Sequence, residues 1–206
     1  MSSERFDTAR RGVGSGIAFV VTGPSGAGKT SVIERVMDAL PRLTFSVSHT
    51  TRPRRTGETD GEDYLFVSQD EFERLIQDGA FVEHTVYSGA RYGTTHAQLG
   101  EAFARGDDVI LNVEIEGAAS LRSAGLARRP SVYVFLAPSS LDRLAERLRI
   151  RGTESEAKIA ERIEVAAREM KALHTFDYLV LNDELDVAVA ELAAIVVAER
   201  ARLTRQ

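Results

Sequence analysis

Gly23-Pro24-Ser25-Gly26-Ala27-Gly28-Lys29-Thr30 sets four residues between a first glycine and a Gly-Lys-Thr triplet. That spacing suits a loop whose backbone N–H groups surround phosphate oxygens, with Lys29 reaching the outer phosphates and Thr30 offering its hydroxyl to magnesium. A glycine-rich turn that binds nothing is the plainer alternative. The context opposes it, because a buried strand enters the loop and a helix leaves it, so the positive helix end also points at the phosphates. The loop does not name the phosphate acceptor, since ATPases, GTPases and small-molecule kinases all use it.

Further candidates for chemistry are cationic. Arg52 and Arg55 lie near Tyr64 in a short insertion, and two guanidinium forks with a phenol suit a phosphate monoester, although a solvated basic loop would read similarly in isolation. Arg147 and Arg151 are four apart and share a helix face, with Arg162 on the helix that follows. Arg143 and Arg149 carry no assigned role, since neighbouring acids offer them ordinary surface pairs. His49, His84, His96 and His174 are scattered without metal-ligand spacing and read as packing or surface residues.

These residues need a scaffold. Ile17 to Val21 is a continuous β-branched and apolar run, as expected for a strand covered on both faces of a parallel sheet. Val32, Ile33, Val36, Met37 and Leu40 then recur at helical spacing until Pro41. Strand-like runs at Val109 to Leu111, Val132 to Leu136 and Tyr178 to Leu181 are each followed by a helical pattern, which predicts a βα alternation. Helix starts carry capping-box patterns at Ser68 to Glu71, at Ser139 to Asp142 in an acidic variant, and at Thr153 to Glu156. Between Thr44 and Thr94 short alternating segments surround a charged, glycine-containing stretch, which predicts an antiparallel insertion. Residues 1–16 lack periodicity and read as a mobile arm.

The totals narrow the class. The chain has 206 residues, 43% of them apolar, enough for one core with a smaller hinged part. A net charge of −5 gives no global positive field to hold a polyanion, so nucleic acid is not expected as a partner. The absence of cysteine excludes a disulfide framework and thiol catalysis and suits a reducing compartment. No apolar run is long enough to span a bilayer, and the start lacks a signal-peptide core. A cytoplasmic protein without a membrane partner is expected, and its oligomeric state is left open.

The segment Phe45 to Glu58, continued by Gly61 to Val67, resembles the nucleotide-monophosphate lobe of guanylate kinases. Phe81-Val82-Glu83, Tyr92-Gly93-Thr94, the strand Ile110 to Glu114 with Gly117, Arg147 with Arg151-Gly152-Thr153, and Leu181-Asn182-Asp183 extend the resemblance in the family's order from Ile17 to the last helix. It implies a fold in the α/β class: a P-loop, doubly wound parallel sheet core (17–43, 95–140 and 170–206), a small mixed α/β GMP-binding lobe (44–94) and a helical lid (141–169). The implied activity is magnesium-dependent transfer of the ATP γ-phosphate to GMP, and to dGMP, in purine nucleotide metabolism.

By the same resemblance, Arg52, Arg55, Tyr64 and Tyr92 hold the GMP phosphate. Glu83 accepts from the two adjacent donors of guanine, Ser48 and Thr94 help read the base, and Glu114 sits beside it. Gly23 through Thr30 and Asn182 bind ATP, while Lys29, Arg147, Arg151 and Arg162 neutralise the transferred group. Asn112 departs from the family's frequent acid there, so it would hold magnesium through water without the Coulomb attraction of a carboxylate. Two rival readings are a catalytically inactive binding module of this type and a kinase for another small phosphorylated acceptor. The intact Gly28-Lys29-Thr30 and arginines oppose the first, and Ser48, Glu83 and Thr94 oppose the second.

Overall fold

The structure, a computed structural model, describes residues 16–87, 89–152 and 155–202, without the side chains of 127, 128 and 151. Of the arm expected over 1–16, all but Gly16 lies outside the described residues. In chain order the elements are β1 (Ala18–Thr22), α1 (Lys29–Ala39), β2 (Leu43–Phe45), β3 (His49–Thr50), β4 (Leu65–Phe66), α2 (Gln69–Gln77), β5 (Phe81–Tyr87), β6 (Ala90–Thr95) and α3 (His96–Ala104). There follow β7 (Asp108–Asn112), α4 (Ile115–Ala124), β8 (Ser131–Ala137), α5 (Leu141–Arg151), α6 (Glu156–Glu169), β9 (Tyr178–Leu181) and α7 (Leu185–Ala201).

β1 is apolar throughout because both of its faces are covered. Phe19 and Val21 join Val32, Ile33 and Val36 of α1 and Leu192 and Val196 of α7, whereas Ala18 and Val20 join Leu99 and Phe103 of α3 and Leu121 of α4. Each strand residue therefore meets a helix layer, the condition that favours an unbroken apolar run over alternation. The main sheet runs β2-β7-β1-β8-β9, all parallel. From β1 the chain winds first toward β2 and later across to β8, so strand order reverses at β1 and a crevice opens beyond its carboxyl end. At the opposite end, the buried Asp108 carboxylate accepts from the Ile17 amide and from Arg200, 2.7 Å each, which ties α7 to the sheet.

The second sheet runs β4-β3-β6-β5. Its β3–β6 and β5–β6 pairs are antiparallel, but β3 and β4 are parallel, which corrects the wholly antiparallel expectation. The loop over residues 51–64 is long enough to carry the chain back before β4 begins, so no hairpin forces the direction. α5 and α6 pack on each other through Leu144, Leu148, Ile159 and Ala166.

Ser68 caps α2 by accepting from the Glu71 amide, as its pattern predicts. The other two caps shift. The cap of α5 is Ser140, accepting from Arg143, rather than Ser139, whose own amide donates to Asp183 Oδ1 at 3.0 Å. The cap of α6 is Ser155, accepting from Lys158, while Thr153 lies outside the described residues. No helix among the described residues is long and apolar enough to cross a membrane.

Candidate active site

Several candidate residues gather at the carboxyl ends of the parallel strands. The loop from Gly23 to Gly28 follows β1, Asn112 ends β7, and Asn182 follows β9. Two glycines here are required rather than convenient. At Gly23 (φ +145) an added Cβ would lie 1.9 Å from the Leu136 carbonyl oxygen, and at Gly28 (φ +86) it would lie 2.5 Å from Asn182 Nδ2. Asn182, nearly fully buried, donates to the Ala27 carbonyl at 2.7 Å, so its amide braces the back of the loop. Lys29 donates to the Gly23 carbonyl at 2.5 Å and the Pro24 carbonyl at 3.3 Å, which folds its ammonium over the cradle it serves.

Two of the arginines on α5 and α6 reach this loop. Arg147 donates to the carbonyls of Asp183 at 2.9 Å and Ala27 at 3.5 Å, and Arg162 donates to Ser25 Oγ at 2.9 Å. The side chain of Arg151 lies outside the described residues. Arg143 and Arg149 form exposed ion pairs with Glu146 and Glu156.

A small polar pocket lies between the second sheet and the start of α4, lined by Ser48, Glu83, Thr85, Tyr92 and Glu114 among others. Glu83 is aimed into it by an irregularity in the β5–β6 ladder, where Phe81 opposes Thr95 but Glu83 opposes Thr94. Glu83 is 6% exposed. Its Oε1 accepts from Thr94 Oγ1 at 2.9 Å, Thr94 and Ser48 hydroxyls sit 3.5 Å apart, and Oε2 is buried without a hydrogen-bond partner. Burial pushes the carboxyl up to about 7, against the Thr94 hydrogen bond that favours ionisation. Burial likewise raises Glu114, with Lys29 opposing, and its Oε2 is also unpartnered.

A cleft of about 580 Å³ separates the second sheet from α6, lined by Ser25, Arg52, Arg55, Tyr92, Arg162 and Glu169 among others. Arg52 lies against the Tyr64 ring, 5.4 Å from its centroid, and grips Glu58 with both ends of its fork at 3.0 and 2.7 Å. That planar, two-point grip on a carboxylate shows the geometry available to a phosphate. Tyr64, driven up to about 12 by burial, meets Tyr92 edge-on. Arg55 lines the same cleft with its side chain exposed, and its amide donates to Glu58.

Glu58 and Glu169 have no place in the sequence reading. Glu58 stands in a loop without periodicity, so nothing local marks its partner. Glu169 did carry a signal, because it falls two helical turns after Arg162 on one face of α6. Burial first and Glu114 second raise it to about 7, and its Oε2 is buried without a partner.

Thr30 and Asn112 line one further cavity, of about 390 Å³, together with Glu34, Glu62 and Asp63. These are hard oxygen donors of the kind magnesium prefers, and among the described residues no group of three acids or histidines forms a cage. The residues fit a metal that takes most of its ligands from phosphates and water.

A glycine loop joining the central strand of a doubly wound sheet to a helix, with cations arriving from a helical pair, defines a phosphate-loop nucleotide-binding protein. Within that class, the family model described as guanylate kinase matches residues 16–199. A guanylate kinase of Syntrophotalea carbinolica is 42% identical over 191 residues, covering 93% of this chain and 90% of that protein. One from Thermus thermophilus is 45% identical over 190 residues, covering 92% and 84%. The crystal structure of guanylate kinase from Anaplasma phagocytophilum superposes with a TM-score of 0.74 at 27% identity, covering 92% of this chain and 89% of that one. The chain belongs to the guanylate kinase family.

Proposed function

We propose that this chain catalyses transfer of the ATP γ-phosphate to GMP, giving ADP and GDP, and that it also accepts dGMP. The observation that carries the reading is Glu83, a buried carboxylate with one oxygen held by Thr94 and the other unpartnered in a pocket it shares with Ser48. Guanine offers two adjacent donors, N1–H and the exocyclic amino group, to such an acceptor, and adenine offers no equivalent pair. A site that leaves a buried polar atom unsatisfied with the wrong ligand discriminates strongly.

The segments divide the work. The lobe over 44–94 receives GMP, with its phosphate on Arg52, Arg55, Tyr64 and Tyr92 and its base on Ser48, Glu83, Thr94 and Glu114. The loop from Gly23 to Thr30, braced by Asn182, holds the triphosphate on the core, and the lid over 141–169 brings Arg147, Arg151 and Arg162 to the group in flight. An attacking phosphate oxygen is already ionised at neutral pH, so no general base is needed and the rate comes from alignment and charge neutralisation. Magnesium, when bound, neutralises the β and γ oxygens, and Thr30 with Asn112 through water would hold it. A cytoplasmic location agrees with the lack of cysteine.

The test is ADP formation from ATP and magnesium with GMP, AMP, CMP, UMP or no acceptor. Turnover confined to GMP is expected, and Lys29→Ala should lower it on the order of a hundred- to a thousandfold, the scale of losing one preorganised cation or donor. Equal turnover with AMP would overturn the acceptor assignment. GMP binding without turnover would return the chain to the binding-module reading.

A further inference from the structure

Glu169 is a carboxylate in the catalytic cleft to which no role is yet attached. It ends α6, lines the same cleft as Arg52, Arg55, Tyr92 and Arg162, and its Oε2 is buried without a hydrogen-bond partner. From other elements it is faced by Glu114, by Lys29 and by Glu116, with Arg168 beside it on its own helix. A buried acceptor left unsatisfied costs about 1–3 kcal/mol, so such an atom calls for a ligand that completes it.

The geometry points to a ribose hydroxyl of GMP as that ligand, making Glu169 a specificity-determining residue for the sugar. This rests on the GMP reading above. The base pocket holds Glu83, Glu114 and Tyr92, while the phosphate cleft holds Arg52, Tyr92 and Glu169. Tyr92 lines both, so the two cavities adjoin there, with Glu114 on the base side and Glu169 on the phosphate side close enough for each charge to affect the other. The part of a nucleotide that must occupy a junction between base and phosphate is the sugar.

Chemistry selects the same group. A carboxylate accepts, so phosphate oxygens, themselves acceptors and anionic, are repelled. Guanine's donors are taken by Glu83. The 2′- and 3′-hydroxyls are the donors that remain on GMP, and a hydroxyl can pair with Glu169 whether its carboxyl is ionised or neutral. Burial holds that carboxyl at about 7, so both forms are populated near neutral pH.

The experiment compares GMP, dGMP and 3′-deoxy-GMP as acceptors for the wild type, Glu169→Gln and Glu169→Ala. The wild type should favour GMP over one of the two deoxy analogues by roughly tenfold in kcat/KM, the worth of one hydrogen bond to a charged or partly charged acceptor. Glu169→Ala should collapse that preference toward one, mainly through KM for GMP, and Glu169→Gln, which keeps an amide oxygen, should retain part of it. Equal loss with all three nucleotides in Glu169→Ala would assign Glu169 to holding Lys29 or the lid and overturn the proposal. So would a wild type indifferent to both hydroxyls. Failure of the wild type to use any guanine nucleotide would instead bring down the GMP reading itself.

Discussion

In the proposed role of Glu83, base recognition and a stability penalty fall on the same two oxygens. Burial lifts its carboxyl from the ordinary 4.5 to about 7, so the folded protein prefers the neutral form. Between those two values the fold binds more protons than the unfolded chain, and its stability therefore falls as pH rises through that window and stays lowered above 7. Guanine bound there as proposed would reverse the preference, since two N–H donors favour the carboxylate. KM for GMP should then rise as pH drops below 7, approaching tenfold per unit. Glu83→Gln removes the titrating group. Its KM for GMP should be at least about tenfold higher and nearly flat with pH, yet in urea the variant should be more stable than wild type by on the order of 1–3 kcal/mol at pH 8, with little difference at pH 4.5. Matching pH profiles for wild type and variant would mean that Glu83 does not titrate in the base pocket.

Elements were readable in proportion to how local their causes are. The strand-loop-helix corner at 17–40 was legible because burial on both faces of β1 removes alternation, and because Gly23 and Gly28 sit where a Cβ cannot. The parallel pairing of β3 with β4 was not legible, since alternation identifies a strand and says nothing about its neighbour's direction. Arg52 was marked for an anion, but its grip on Glu58 depends on a loop conformation that no spacing encodes. The α5 cap failed for a similar reason: Asp183, distant in sequence, takes the Ser139 amide, and the cap falls to Ser140. That correction has a measurable consequence. Ser140→Ala should destabilise the protein by about 1 kcal/mol in urea unfolding, and Ser139→Ala, which keeps the amide that Asp183 holds, should stay within about 0.5 kcal/mol. The reverse order would restore Ser139 as the cap.

At the scale of the whole molecule, the two appendages stand in different relations to the phosphate loop. The helical pair is already fastened to it, by Arg162 on Ser25 and Arg147 on Ala27 and Asp183. Across the second sheet, Arg52 is occupied by Glu58 of the same segment, and the 580 Å³ cleft lies between this sheet and α6. Transfer requires attacking oxygen and phosphorus to approach about 3–3.5 Å. On the proposed division of the chain, the larger movement on binding both nucleotides is expected of residues 44–94, with α5 and α6 serving as the surface they close against. The chain contains no cysteine, so introduced ones can be labelled cleanly. Val86 on β5 and Ile150 on α5 are 68% and 78% exposed, and Val197 on α7, 53% exposed, gives a reference point on the core. Energy transfer between labels at 86 and 150 should rise when GMP and a non-hydrolysable ATP analogue bind together with magnesium, while the 150 to 197 pair changes far less. A large change in the second pair with none in the first would make the α5–α6 pair the moving part and the arginine contacts to Ser25 and Ala27 a resting latch.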